Sequence, residues 1–555
     1  MGTASAPAFF YHPDAVETAG KDLVGRRSAG QTALKAFIKH SPGPTLNIVT
    51  DTPKGQAAFE KVAAQLGADR PIDGAVLRSM DDFTRFGTVF FPVPGFNGAT
   101  WRRQRFAPEA CSLVGITHTV STRRVIEQLH HQLLEPVEEW DAIICTSRAV
   151  KTVVSRQLAL SAEFIRRRFG ATRIPLPQLP VIPLSVDASD FRRNSDYRAE
   201  ARGKFDVPEA AIVIMTMGRL TVGEKANPVP LYQVLERLAQ RLDRPVHLWQ
   251  VGWARREDDE RFFIDGPAAL CPSVTSRIID GRDEWVRRAI WSGADIFTLP
   301  VDNIQETFGI VPIEAMAASL PVVMPDWDGF RDTVRHGETG FLIPTRMARA
   351  GNGARIASRF ADGRDSYLGY LSLVSNATEI DQDAYLAALE RLARDPILRE
   401  KMGRAGAAHV AQNFDLRPVM NQYLRLADEL AERREVAKSH SKRLSPSAVS
   451  PIEVDPFALY RGYPAEIVND QTEVAILQVP TVDEIKALDR LNGRDHYDRR
   501  IMPPERTVRN VVQMAAHAPA TLASLSKSTG IGVLELELTA LFLAKYGMAK
   551  LSSPQ

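Results

Sequence analysis

The sequence predicts an α/β protein with two domains, each a parallel sheet flanked by helices, followed by a small, mainly helical C-terminal module. Three observations carry this expectation. Through about the first 430 residues, short apolar runs alternate with longer helix-like stretches, the pattern of strands joined by crossover helices. The runs are too many for one ordinary doubly wound sheet, and a length of 555 residues suits two or three domains. A polar, arginine-rich interval from Asp187 to Pro208 divides the runs into two sets.

In the first set the strand candidates are Phe9–Tyr11, Leu46–Val49, Thr88–Phe91, Ser112–Thr117, Ala142–Cys145 and Leu179–Ile182. Gly25-Arg-Arg-Ser-Ala-Gly30-Gln31-Thr32 reads as a loop between the first strand and a helix beginning at Ala33. It approaches a Walker A loop, but Gln31 stands where that motif needs the lysine that holds the terminal phosphates, which argues against a nucleotide triphosphatase. Its backbone amides suit a diphosphate or its sugar across a cleft, and a plain flexible turn is the simpler alternative. His118, in Gly115-Ile-Thr-His-Thr119, falls at a strand's C-terminal end, where open α/β sheets bind ligands.

Between the sets, Asp187–Pro208 reads as a linker with a short helix. The second set comprises Ala211–Met217, Val246–Val251, Arg277–Ile279, Ile296–Leu299 and Pro321–Met324. Gly218-Arg219-Leu220 closes the first of these, and Lys225 follows in the same loop. An arginine fork and a lysine point charge on one loop can clamp a diphosphate and stabilise charge on a leaving nucleotide, although two solvated surface cations would look the same in isolation. Glu306-Thr307-Phe308-Gly309-Ile-Val-Pro-Ile-Glu314 places one carboxylate at an expected helix start and another on the helix body. Eight residues of helix separate the two backbones by about 12 Å, too far for one acid–base dyad. The spacing suits two hydroxyl-bearing parts of one long ligand, with an anion at the helix N-terminus between them. A nucleotide sugar has that layout.

Asp383 to Arg434 is helical in pattern, and Phe414-Asp-Leu-Arg-Pro-Val-Met-Asn-Gln-Tyr-Leu begins a long amphipathic stretch. Lys438–Pro451 is rich in Ser and Pro, a linker signal. Beyond it, Glu473–Leu477 is a strand candidate, and helices are expected over Arg506–His517, from Ala520, and from Gly532 to Gly547.

Composition narrows the function class. A formal net charge of +2 offers no global excess for nucleic acid. The three cysteines, Cys111, Cys145 and Cys271, form neither a disulfide framework nor a metal-ligand spacing, and point to a reducing cytoplasm. The N-terminal residues lack a basic segment followed by an apolar core, so no signal peptide is expected. No apolar run reaches the length of a membrane span.

In order, the motifs resemble those of the family 4 retaining glycosyltransferases of GT-B fold, over about residues 8 to 435. They are the Gly25/Gly30 segment, Thr117-His-Thr, Gly-Arg-Leu with Lys225, Glu306-x7-Glu314 and Gly337-Glu-Thr-Gly340-Phe-Leu-Ile-Pro. Trp140–Ser147, Ile182–Asp187, Asp326–Val334 and Met402-Gly-Arg-Ala-Gly406 also match. The resemblance implies two Rossmann-like domains facing across a cleft. Residues 1–187 form an acceptor domain, completed by a crossover helix over 414–435, and residues 205–413 form a donor-nucleotide domain. Residues 436–451 are then a linker and 452–555 an extension with a helix-turn-helix core similar to winged-helix domains. It also implies roles. Arg219 and Lys225 bind the donor diphosphate, beside Gly218. Glu314 binds the ribose hydroxyls. Glu306, with the amides near Thr307, Phe308 and Gly309, meets the sugar and phosphates. His118 sits by the reacting sugar, and Gly25 and Gly30 let the N-terminal segment approach donor or acceptor. Neither a protein nucleophile, nor a metal, nor another cofactor is expected.

The implied activity is transfer of a sugar from a nucleotide sugar to a glycan, lipid-linked glycan or protein. Alternatives are another GT-B enzyme (a sugar-nucleotide epimerase, or a sucrose-type synthase or phosphorylase) and a non-catalytic scaffold acting through the C-terminal module. Three departures bear on specificity: Ser185 where glycine is common, the residues Val301–Gln305, and an extra segment over about 346–381. Trp101-Arg-Arg-Gln-Arg105 and Phe164-Ile-Arg-Arg-Arg-Phe169 are basic-aromatic clusters that suit peripheral contact with an anionic inner membrane surface, though charged faces are ordinarily just solvated. In the C-terminal module, Glu535 and Glu537 open the last helix, which argues against DNA and for a protein partner or self-association through 503–551.

Overall fold

Six parallel strands form the first sheet: β1 (Ala8–Tyr11), β2 (Leu46–Thr50), β3 (Ile72–Val76), β4 (Thr88–Phe90), β5 (Ser112–Ile116) and β6 (Ala142–Ile144). Their order is β3-β2-β1-β4-β5-β6. The second sheet contains β7 (Ile212–Met217), β8 (Val246–Gly252), β9 (Thr275–Asp280), β10 (Ile296–Thr298), β11 (Val322–Pro325) and β12 (Gly340–Ile343), in the order β12-β11-β10-β7-β8-β9. Counted from its own first strand, each sheet has the same topology. The order reverses between β1 and β4 in one and between β7 and β10 in the other. Ligand crevices open at such switch points, outside the strands' carboxyl ends. The central strands are buried along their whole length, as parallel strands covered by helices on both faces must be. These features come from a computed structural model that describes residues 6–13, 25–79, 81–439, 450–451, 453–481, 483–485, 487–488 and 503–552, with only the backbone of 25–28.

The chain passes between the two sheets twice. The first passage is a short 3₁₀ turn, Ala188–Phe191, and helix Ser195–Lys204. The second leads into helix Leu416–Ala437, which returns to the first sheet. Leu416, Val419, Met420, Tyr423, Leu426 and Leu430 pack there on Phe9, Tyr11, Ile48 and Phe90, with the Phe90 and Tyr423 rings 5.1 Å apart. Val186 N donates to Phe414 O at 2.9 Å, tying the two passages together.

Several sequence expectations are corrected. Gly25–Thr32 is not a loop: one helix runs from Gly25 to His40, held by Leu34, Phe37 and Ile38 in the core of the first sheet. Leu179–Ile182 forms only isolated bridges, such as Cys145 with Val181. Strand β3 was not anticipated, because Asp73 and Gly74 interrupt its apolar pattern. The helix expected at Glu306 begins at Ile310, after Gly309 in the left-handed region. Helix Leu416–Ala437 runs through the expected start of the 436–451 linker, most of which lies outside the described residues.

The segment after β12 has structure of its own. β13 (Thr345–Met347) and β14 (Thr378–Ile380) pair antiparallel around helices Ala354–Ala361 and Tyr367–Ser375.

Residues Ser450–Gln555 form a second compact unit, apart from Met1–Val449. Here β15 (Glu473–Ile476) lies between β16 (Ala520–Thr521) and β17 (Ala549–Ser552), antiparallel to both. Helices Glu505–Ala515, Leu522–Thr529 and Val533–Lys545 close a core of Val474, Val508, Val511, Leu522, Leu536 and Leu543. No described helix is long and apolar enough to cross a membrane.

Candidate functional site

Between the two sheets of the first unit lies a cleft of about 1130 Å³. Its walls include His118 from the first half and Gly218, Arg219, Lys225, Glu306 and Glu314 from the second. Thr307, Phe308 and Gly309 also line it. The structure therefore brings most of the expected residues to one place. Gly25 and Gly30 differ. Gly30 is buried within a helix, and its neighbours Ala29 and Gln31 reach the cleft instead.

β7 ends at Met217, and the chain turns over Gly218 toward Lys225. A Cβ at Gly218 would stand 3.2 Å from Lys225 Cε, so the absence of a side chain lets the lysine stem run along the backbone. Lys225 Nζ donates to Glu306 Oε2 at 2.7 Å. Arg219 is paired with Glu224, a partner that sequence reasoning missed although it adjoins Lys225. Each expected phosphate-binding cation is thus held by a carboxylate.

Glu306 is four residues ahead of its helix. Its Oε1 accepts from Gly309 N at 3.1 Å and from Thr307 N at 3.3 Å. Two of the amides expected to face a ligand are therefore directed at Glu306. Burial works to raise the Glu306 pKa, but the Lys225 charge and these hydrogen bonds outweigh it and hold the carboxyl below its ordinary range. Gly309 is required twice over. Its φ of +79° is left-handed, and a Cβ would come within 2.1 Å of Phe330 Cε1.

Glu314 lies in the second turn of helix Ile310–Ala317, half-buried at the cleft wall. Burial pushes its carboxyl up to about 7, against a smaller opposing effect of Lys225. One carboxylate of the pair is thus firmly ionised and the other poised near neutrality.

His118 faces these groups from the end of β5. Its Nε2 lies 2.9 Å from Pro92 O, and its own carbonyl accepts from Thr307 Oγ1 at 2.7 Å. Further contacts join the two halves nearby. Thr146 Oγ1 donates to Thr307 O at 3.3 Å, Ser147 Oγ donates to Asp328 Oδ1 at 3.1 Å, and Arg148 pairs with Asp332. Burial pushes Asp328 up to about 7. Among the described residues, no group of three or more His, Cys, Asp or Glu is arranged to hold a metal ion.

Residues 211–355 match the family described as Glycosyl transferases group 1, a span that contains Arg219, Lys225, Glu306 and Glu314. Over 156 residues, 28% of this chain, the sequence is 33% identical to a phosphatidyl-myo-inositol mannosyltransferase of Mycobacterium leprae, and the match covers 32% of that protein. Over 263 residues, 46% of this chain, it is 27% identical to a D-inositol 3-phosphate glycosyltransferase of Streptomyces bingchenggensis, covering 47% of it. The chain thus spans from about a third to about half of the length of these relatives. Among solved structures, Anabaena HepE in complex with UDP aligns with a TM-score of 0.46 and 13% identity, covering 76% of this chain and 100% of that one.

Proposed function

We propose that this protein is a retaining glycosyltransferase of GT-B fold, moving a sugar from a nucleotide-sugar donor to a hydroxyl acceptor. The observation that carries this reading is the Lys225–Glu306 ion pair at the second sheet's switch point, with Glu314 on the following helix and His118 opposite. The match of residues 211–355 to glycosyltransferases supports it.

Arg219 and Lys225 take the donor diphosphate in exchange for Glu224 and Glu306. This exchange releases Glu306 to accept from hydroxyls of the transferred sugar, while Glu314 accepts from the ribose. The bond between the anomeric carbon and the diphosphate oxygen breaks, and the charge left on the oxygen is met by the two cations. The acceptor oxygen bonds to the anomeric carbon on the same face, and its proton passes to the departing phosphate oxygen. His118 donates to or accepts from a sugar hydroxyl as the charge shifts. No carboxylate serves as a covalent nucleophile in this scheme, so the paired-carboxylate logic of glycoside hydrolases does not apply.

The first test is nucleotide release from a panel of UDP-, GDP- and ADP-sugars. The inositol in the relatives' names makes inositol 3-phosphate and phosphatidyl-myo-inositol the first acceptors to supply. Lys225→Ala and Glu306→Ala, with folding intact, should each lower turnover by about 100-fold or more, the effect of removing one preorganised charge-stabilising group. Normal turnover in both would sink the assignment. Anomeric NMR of the product tests retention, and inversion would refute that part.

On the first half, helix Arg148–Phe169 exposes Leu160, Phe164 and Phe169 beside Arg167 and Arg168. That chemistry supports peripheral contact with an anionic bilayer. Sedimentation with anionic, but not neutral, vesicles is the expected result.

A further inference from the structure

The insertion from β13 to β14 touches the three loops that carry His118, Arg219 with Lys225, and Glu306. Its ends are pinned by the pairs Thr345–Ile380, Arg346–Glu379 and Met347–Thr378. Its two helices are joined by the stacked rings of Phe360 and Tyr370, 4.6 Å apart. Helix Tyr367–Ser375 then makes three contacts with these loops. Ser375 Oγ donates to the buried Asp302 Oδ1 at 2.6 Å, in the loop leading to Glu306. The next residue, Asn303, donates Nδ2 to Gly223 O at 2.7 Å, in the loop of Arg219 and Lys225. Gly223 lies against the same helix, where a Cβ would stand 3.0 Å from Ser372 Oγ.

The third contact reaches the other half of the unit. Tyr367 OH lies 2.7 Å from Ser121 Oγ, which is itself 3.1 Å from Thr119 Oγ1. Thr119 follows His118 directly and lines the cleft. Burial raises the Tyr367 phenol above its ordinary value, so the group stays protonated and the contact is a hydroxyl–hydroxyl hydrogen bond.

We infer that Tyr367 is a positioning residue of the transfer site: by bonding Ser121 it holds the turn after His118, and with it the His118 wall, over Lys225 and Glu306. The inference rests on the glycosyl-transfer reading. Tyr367 touches no reacting atom in it. The residue acts through Ser121 and the turn, and its effect falls on the step that needs both walls.

Tyr367→Phe keeps the ring and removes the hydroxyl, and Ser121→Ala removes the other end of the same bond. Hydrogen exchange of the full-length protein, without donor or acceptor, provides the first readout. Each single variant should raise exchange over residues 119–125 to a similar extent, and the double variant should go no further. In the nucleotide-release assay each single variant should lower kcat about fivefold, the factor expected for one hydrogen bond of ordinary net strength. The double variant should match the singles, Ser121→Thr should restore turnover, and the affinity for the released nucleoside diphosphate should not change. Unaltered exchange, losses that multiply in the double variant, or a fall in nucleotide affinity equal to the fall in kcat would each overturn the inference. Failure of the wild-type protein to turn over any donor would instead overturn the transfer reading, and the exchange result distinguishes the two failures.

Discussion

Glu306 and Glu314 are separated by eight positions of one chain and by a much larger difference in environment. Glu306 is tied to Lys225 and to two amides, while Glu314 is half-buried among apolar helix residues with nothing comparable to hold its charge. A carboxyl whose folded pKa is raised to about 7 from 4.5 stabilises the fold fully below 4.5 and loses that contribution as pH rises through 7. Glu314→Gln removes this dependence. Relative to the variant, the wild-type protein should therefore lose thermal stability between pH 4.5 and pH 8, measured as a widening gap in Tm, with Asp302 and Asp328 common to both. An unchanged gap would show that Glu314 is solvated. If the ionised carboxylate is the form that accepts from a ribose, nucleotide affinity in the wild type should strengthen over the same interval. His118, Arg219 and Lys225 were legible as candidates because each follows a strand end, and Glu306 and Glu314 because of their spacing along one segment. Ser121 and Tyr367 were not, since a bond across 246 residues leaves no mark on its neighbours.

Legibility at the level of elements followed the strength of the local pattern. Strands such as Ile212–Met217 and Val246–Gly252 read correctly because fully buried parallel strands are continuous apolar runs. Gly25–Thr32 misled because its two glycines suggest a turn, whereas packing of the following turns on the first sheet carries the helix back to Gly25. The glycines of Met402-Gly-Arg-Ala-Gly406 turn out to have a steric purpose. Helix Pro396–Asn413 packs so closely on helix Ile310–Ala317 and the turn after it that a Cβ at Gly406 would fall 3.2 Å from Met316, and one at Gly403 would fall 2.1 Å from Ser319 O in that turn. This contact backs the helix that carries Glu314. Gly403→Ala must push helix Pro396–Asn413 off that turn, at an overpacking cost of about 1–3 kcal/mol. Calorimetry should show that loss, and nucleotide affinity should fall with it. A variant as stable as the wild type would mean that the crossing relaxes freely.

At the scale of the whole molecule, the chain is divided near residue 450, and the apolar cluster of Val474 to Ala549 draws only on the second unit. Two separate calorimetric transitions are expected, and a chain ending at Ser439 should lose one of them while keeping nucleotide binding. A single unchanged transition would show that the units melt together. The first unit is not divisible in the same way, because helix Leu416–Ala437 supplies Leu416, Val419, Met420, Tyr423 and Leu430 to the sheet formed by residues 8–144. The ribosome therefore delivers the six strands of that sheet long before the helix that covers it. At roughly 5–20 residues per second, the interval is on the order of tens of seconds. Throughout it, Phe9, Tyr11, Ile48 and Phe90 lack their final cover, so within the first unit the sheet made first is the last to be sealed. Nascent chains arrested at residue 413 should be cut by protease within the first sheet, and chains arrested beyond residue 437 and its exit-tunnel length should resist.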